Sequence, residues 1–309
     1  MKVPSIVKRI QSYTPQEVNY AFQKNISYSQ FSIFKECPHK WELLYKDGLQ
    51  QYTSTIHTVF GTAMHEALQH YITIMFKQSA AEADRFNVEE YFEERFRETY
   101  LKEYKSNSST HFSSSVEMRE FFDDGIAIIN FFKKKRGQYF SKRGWFLVAC
   151  ELPIVIVPNN KFKNVLYKGY LDLVLYHEPT NTFKIIDFKT STRGWNDKTK
   201  KDEGKQFQLI LYKNGFSKQF DIPEDNIEVE FFILKRKIWE ESEFPQSRIQ
   251  EFAPPSGKIK MKKAVTALNE FIEHSFNQDG TYKDNKYPIT VNENCKYCPF
   301  NDKRDLCSK

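Results

Sequence analysis

An α/β fold with one central sheet flanked by helices and interrupted by a helical insertion is the architecture this sequence predicts, and three observations carry it. Runs with strand character fall at 145–157, 164–176, 182–190 and 227–234, bounded by turn-forming residues. Segments with apolar residues at helical spacing lie before, between and after them. The block 80–140 is helical in pattern apart from one polar linker. Strands and helices ordered in this way bury their apolar faces as layers around one sheet. No internal repeat is visible in the sequence.

Residues 1–27 show little periodicity and read as an extended arm or short helix. The stretch 27–38 reads as a short helix with Ser29 as N-cap, Phe31 and Phe34 on one face and Pro38 as the stop, leaving Cys37 at its C-terminal end. A loop rich in Gln, Tyr and Thr follows. Gly61 then opens a clear helix in which Met64, Leu68, Tyr71 or Ile72, and Met75 recur at helical spacing, with His65 one residue off that stripe. Inside the insertion, 88–104 is amphipathic and heavily charged, and 117–132 carries Phe121, Phe122, Ile126, Ile129 and Phe132. The serine-rich stretch 106–115 links them, and Lys133 to Arg136 reads as a solvated helix end. Beyond the strand pair at 164–190, 193–205 is a lysine-dense polar loop, 206–216 an apolar helix and 262–276 a last helix. The expected segments are therefore 1–79, with a cysteine and the His-bearing helix; 80–140, the helical insertion; 141–285, the core; and 286–309, a cysteine-bearing tail.

With 309 residues the chain can bury one large core or two modest ones. No apolar run approaches the roughly 20 residues of a membrane span. The N-terminus lacks the sustained apolar stretch of a secretory signal, so a cytoplasmic, reducing setting is expected. In that setting the five cysteines read as ligands or core residues rather than disulfides. Net charge is +6, from 46 Lys and Arg against 40 Asp and Glu, which suits a polyanionic partner without requiring one.

The chemistry is concentrated in two short stretches. Asp172 closes Lys168-Gly169-Tyr170-Leu171-Asp172, and Asp187-Phe188-Lys189 follows on the next strand pattern, with the turn signal His177-Glu178-Pro179-Thr180-Asn181 between them. The two runs read as a hairpin. Alternation along a strand points Asp187 and Lys189 the same way, and a suitable register brings Asp172 beside them. Two carboxylates that close repel unless a cation lies between them, and oxygen ligands suit Mg²⁺ or Mn²⁺. Such an ion with a neighbouring lysine is equipment for hydrolysing a phosphodiester. The lysines at 198, 200, 201 and 205 follow Lys189 closely and are candidates for phosphate contact.

Cys295, Cys298 and Cys307 lie within the last fifteen residues, and Cys37, followed like Cys298 by proline, is the candidate fourth ligand. Four thiolates satisfy either a tetrahedral zinc or a 4Fe-4S cluster. Cys150, inside an apolar strand, reads as a core thiol.

In order along the chain, Ser27-Tyr28-Ser29-Gln30-Phe31 with Cys37-Pro38, Gly61-Thr62-Ala63-Met64-His65, Gly169 to Asp172, Asp187 to Thr190, Gln208-Leu209-Ile210-Leu211-Tyr212 and the terminal cysteines resemble the RecB-like branch of the PD-(D/E)XK nucleases. More narrowly they resemble its iron–sulfur exonucleases, such as the AddB nuclease domain and the CRISPR-adaptation exonucleases. The resemblance implies a restriction-endonuclease-like core sheet with a terminal metal–sulfur cluster. It implies metal ligation by His65, Asp172, Asp187 and the carbonyl of Phe188, with Lys189 handling the attacking water. Gln208 and Tyr212 would steady Lys189 or the substrate, and Glu151 matches a family glutamate. The last cysteine gap is longer than the family's, which keeps zinc open beside the cluster. The expected activity is a metal-dependent DNA exonuclease acting on ends or single strands, with a structure- or site-specific endonuclease, or a non-cleaving subunit of a recombination complex, as alternatives. Any helicase partner would be a separate chain, since no phosphate-binding Gly-x₄-Gly-Lys-Ser/Thr loop is present.

Overall fold

The structure, a computed structural model, describes residues 2–15, 17–49 and 54–307. The chain begins with helix α1 (Ser5–Gln11), strand β1 (Lys24–Ile26), helix α2 (Tyr28–Glu36) and the short helix α3 (Pro38–Trp41), which runs on into a wider turn at Glu42–Lys46. Helices α4 (Ile56–Lys77), α5 (Ala80–Arg85), α6 (Val88–Ser106) and α7 (Ser115–Tyr139) follow. Then come strands β2 (Trp145–Ile156), β3 (Val165–His177) and β4 (Thr182–Ser191), helices α8 (Asp197–Lys201) and α9 (Glu203–Phe220), strands β5 (Ile227–Lys235) and β6 (Ile249–Phe252), and helix α10 (Lys258–Ser275).

Among the described residues six strands form one mixed sheet. The pairs β2–β3, β3–β4 and β5–β6 are antiparallel, while β1–β3 and β4–β5 are parallel. Tyr167 pairs with both Ile156 and Ile26, so β1 lies on the edge of β3 away from β2. Leu173 to His177 pair with β4 on that same edge. Between these contacts, 168–172 of β3 has no strand partner on that side among the described residues. The sheet therefore has an opening, and Asp172 stands at its rim.

Each face of the sheet carries its own core. On one side Val7, Phe31, Trp41, Phe207, Phe216, Leu268 and Phe271 pack against Ile154, Tyr167, Ile185 and Phe231, which brings α1, α2, α3, α9 and α10 together. On the other, Phe60, Leu68, Phe92, Phe121 and Phe132 from α4, α6 and α7 pack on Leu173, Ile186, Phe188 and Phe232. The helical insertion is thus one cover of the sheet. Helix α9 is buried almost all round from Gln206 to Phe216, as expected of a helix sandwiched between a sheet and another helix. Gly215 permits this: a Cβ there would stand 2.7 Å from Ile154. No helix among the described residues is long and apolar enough to cross a membrane.

Several expectations are corrected. The cap of α2 is Ser27, whose side chain accepts from the Gln30 N–H, and not Ser29. Helix α4 starts five residues before Gly61, at Ile56, because Thr55 and Thr58 form a capping box. The loop expected just ahead of it lies mostly outside the described residues. The arm at the N-terminus contributes both a helix and a strand, and the lysine-dense loop contains α8. The run 145–157 forms one strand, Trp145–Ile156, as read, with a register shift between Leu147 and Ala149. Lys133 and Arg136 are not simply solvated, since Lys133 pairs with Glu89 at 3.1 Å and Arg136 with Asp84.

Candidate active site

Three acidic residues line up across three adjacent strands. Cys150 pairs with Leu173 and Leu152 with Leu171, so Glu151 on β2 stands opposite Asp172 on β3. The ladder between β3 and β4 ends at Leu173 and Ile186, and the next positions outward are Asp172 and Asp187. The row Glu151, Asp172, Asp187 crosses the sheet where the hairpin forks. Glu151 adopts φ 52°, a left-handed conformation for a non-glycine residue; such backbone costs on the order of 1–3 kcal/mol and clusters at functional sites.

Each side chain is held in place. Asp172 Oδ2 accepts a hydrogen bond from the Phe188 N–H at 2.8 Å, across the fork. Asp187, almost wholly buried, accepts from Gln208 Nε2 at 3.0 Å, and its Oδ2 lies 2.7 Å from Lys189 Nζ. That second oxygen touches the ammonium without an aligned hydrogen bond. From the opposite face, α4 supplies His65, with Nδ1 3.6 Å from Asp172 Oδ2. One helical turn on, Gln69 Nε2 donates to Glu151 Oε1 at 2.6 Å and to the Asp172 carbonyl at 2.9 Å.

The electrostatics follow from burial. Burial raises the Asp172 carboxyl well above its ordinary range, and the Asp187 charge adds to the effect while Lys189 opposes it. Asp187 is also raised by burial, against the pull of Lys189. Burial and the Lys189 charge lower His65 to about 3, so its imidazole is neutral near pH 7 and able to act as a ligand. Burial pushes the Tyr212 phenol up, leaving it a protonated donor. Two buried carboxylates, the charge of Asp187 raising Asp172 and one Asp187 oxygen still lacking an aligned hydrogen bond, are a donor set suited to a divalent cation. Among the described residues no three His, Cys, Asp or Glu groups already form a shell for one ion.

The structure brings together His65, Glu151, Asp172, Asp187, Phe188, Lys189, Gln208 and Tyr212. One relation differs from expectation: Gln208 holds Asp187 rather than Lys189, with Tyr212 Oη 3.4 Å from the same amide. Gly169 makes room for Tyr212, since a Cβ there would lie 2.8 Å from its ring. Gln69 was not singled out from sequence, although its spacing of four residues from His65 places both on one helix face. Helix α8 follows the site, with Lys198 paired to Glu293 at 3.1 Å and Lys205 over the Trp195 ring at 5.5 Å.

The remaining expected ligands gather elsewhere. Cys37, Cys295, Cys298 and Cys307 line one recess with Leu43, Ile289 and Phe300. The Thr290 N–H donates to Cys37 Sγ and the Asn292 N–H to Cys295 Sγ, each at 3.4 Å. The chain ends are stitched around it by Asn292 Nδ2 on the Glu36 carbonyl at 3.2 Å and by His39 Nε2 on the Leu306 carbonyl at 2.7 Å. Cys150 stands apart, half-buried on β2, with burial raising its thiol.

An α/β sheet that forks into a lysine-flanked acidic row is the frame of a nuclease of the PD-(D/E)XK kind. The sequence matches the model of the PD-(D/E)XK nuclease superfamily over residues 25–303, and the chain belongs to that superfamily. Among solved structures, the crystal structure of a protein from Eubacterium rectale named "Putative exonuclease" is similar at 11% sequence identity and a TM-score of 0.45, with 85% of each chain covered. No curated protein matches the sequence.

Proposed function

We propose that this chain is a divalent-metal-dependent DNA nuclease of the RecB-like branch, an exonuclease acting on DNA ends or single strands. The observation that carries the reading is the row Glu151, Asp172, Asp187 at the forked hairpin, with Lys189 2.7 Å from Asp187. Mg²⁺ or Mn²⁺, the usual ions of this superfamily, would be held by Asp172 and Asp187, with His65 and the Phe188 carbonyl completing the protein's share. When bound, such an ion supplies Lewis-acid polarisation of phosphate and a water of lowered pKa. The chain's own groups do the rest. Lys189 positions the attacking water and offsets charge developing on the phosphate. Gln208 fixes Asp187, the Phe188 N–H fixes Asp172, and Gln69 ties Glu151 to the same rim. End-labelled single- and double-stranded DNA incubated with Mg²⁺ or Mn²⁺, with products sized over time, tests the activity and separates stepwise removal of end nucleotides from internal cutting.

We infer in addition that Cys37, Cys295, Cys298 and Cys307 hold a 4Fe-4S cluster, with structural zinc as the alternative. The shared recess and the N–H groups aimed at two of the sulfurs support a metal–sulfur site.

A further inference from the structure

The half of the hairpin beyond the acidic row leaves one face open around Tyr170 and Lys168, with Leu166 buried beyond them. In 152–156 of β2 and 165–171 of β3, Leu152, Ile154, Tyr167 and Leu171 belong to the core under α9. Alternation then turns Pro153, Val155, Lys168 and Tyr170 to the opposite face. That face is covered by α4, α6 and α7 farther along the sheet, but here Tyr170 is 46% exposed and Val157 36% exposed, with Pro153, Val155 and Lys168 half-buried.

The register sets these pairs in order toward the acidic row, where the faces exchange, since Leu171 packs under α9 and Leu173 on the other core. Val155 pairs with Lys168, Pro153 with Tyr170, and Glu151 stands opposite Asp172. Each step of two residues advances about 6.8 Å, close to the rise of one extended nucleotide. Lys168 Nζ sits over the Tyr170 ring at 5.6 Å, and Lys161 and Lys163 lie exposed in the connection between the two strands, at the end far from the acidic row. A large exposed ring on a strand, a proline beside it, cations behind and catalytic carboxylates ahead form a stacking platform with an electrostatic lead-in.

We propose that this face is the track for a single strand of nucleic acid, with Tyr170 stacking the base next to the phosphate at Asp172 and Lys168 contacting the following phosphate. The proposal deepens the nuclease reading by naming a strand-binding surface and the residues that make the site accept single strands. Duplex DNA keeps its base faces stacked on one another and offers none to Tyr170. Tyr170 touches the substrate in this scheme without taking part in the chemistry.

The test uses the full chain carrying Asp187→Ala, so that substrate persists, and a fluorescein-labelled oligothymidylate read by anisotropy, with a blunt duplex of equal length in parallel. Tyr170→Ala should weaken single-strand binding on the order of tenfold while Tyr170→Phe retains it, in keeping with the value of one base–aromatic stack. Lys168→Ala should lower the slope of log affinity against log salt by about 0.7, the value of one single-strand phosphate contact. Duplex affinity should not respond to Tyr170→Ala. Unchanged single-strand binding in Tyr170→Ala, an equal loss on duplex, or no binding of the oligonucleotide at all would overturn the track. Cleavage by the unmutated chain is a separate readout: a chain that binds as described but never cuts keeps the track and loses the nuclease reading.

Discussion

Gln208 donates to Asp187 at 3.0 Å from one helical turn before Tyr212, whose ring lies against Gly169 on the neighbouring strand. A single amide on α9 thereby orients the most deeply buried carboxylate of the site. Gln208→Ala should lower cleavage and divalent-metal affinity together by about 10- to 100-fold, the usual effect of losing a group that orients a ligand. The melting temperature should hardly move. Cleavage rates over a Mn²⁺ titration check this, and unaltered metal dependence would remove Gln208 from its positioning role.

Gly169 has the complementary vulnerability. A methyl group there must displace the buried Tyr212 ring, at a cost of about 1–3 kcal/mol for overpacking. Gly169→Ala should therefore destabilise the protein, and adding Tyr212→Ala should recover part of the loss. Urea unfolding of the single and double variants measures the coupling.

Burial, and after it the Asp187 charge, raises the Asp172 carboxyl. Removing one charge should relieve the fold as it disables the site. Asp172→Asn in EDTA is expected to melt above the unmutated chain, and added Mg²⁺ should narrow the difference by stabilising only the latter. A variant less stable than its parent in EDTA would show that the Phe188 N–H contact outweighs the repulsion.

The core hairpin was legible in the sequence because its information is local. Strand alternation set Asp187 beside Lys189, and the turn signal placed Asp172 across from them. Gln208 and Tyr212 sit one turn apart on a recognisable helix, so their shared face was readable, while Gln208's choice of Asp187 over Lys189 depends on the packing distance between α9 and β4. The left-handed backbone of Glu151 leaves no mark in composition, since any residue can be forced there by the strands around it. The short strands β1 and β6, of three and four residues, carry too few positions for a period of two to register. Ser29 and Ser27 offer the same hydroxyl, and only the entry of the chain from β1 decides which caps α2.

The insertion is pinned to the site end of the sheet by a buried ion pair. Asp124 of α7 meets Arg236 at 2.8 Å, with both residues buried and the guanidinium 3.6 Å from the Phe121 ring. Asp124→Ala takes away the nearer and more buried of its two carboxylates, leaving Glu120 at 3.8 Å, at a cost approaching about 3–5 kcal/mol. The double replacement Asp124→Leu with Arg236→Met should cost much less. Thermal unfolding of both variants tests this, and equal losses would assign the effect to packing alone.

For the cysteine recess, Cys37→Ser, Cys295→Ser, Cys298→Ser or Cys307→Ser should each cause loss of metal and of soluble protein, because the site joins the two ends of the chain. Cys150→Ser should retain the metal. Four irons per chain with a brown colour supports the cluster, one zinc supports the alternative, and metal-free protein that is soluble and active defeats both.

Asp172, Asp187 and Lys189 are proposed to form one hydrolytic site. Its most direct measurement is the rate of Mn²⁺-dependent cleavage of an end-labelled single strand by the unmutated chain and by Asp172→Ala, Asp187→Ala and Lys189→Ala, each checked for fold by circular dichroism. The unmutated chain should cut, and all three folded variants should fall to background. Full activity in any one of them, or no cleavage by the unmutated chain with either Mg²⁺ or Mn²⁺, would contradict it.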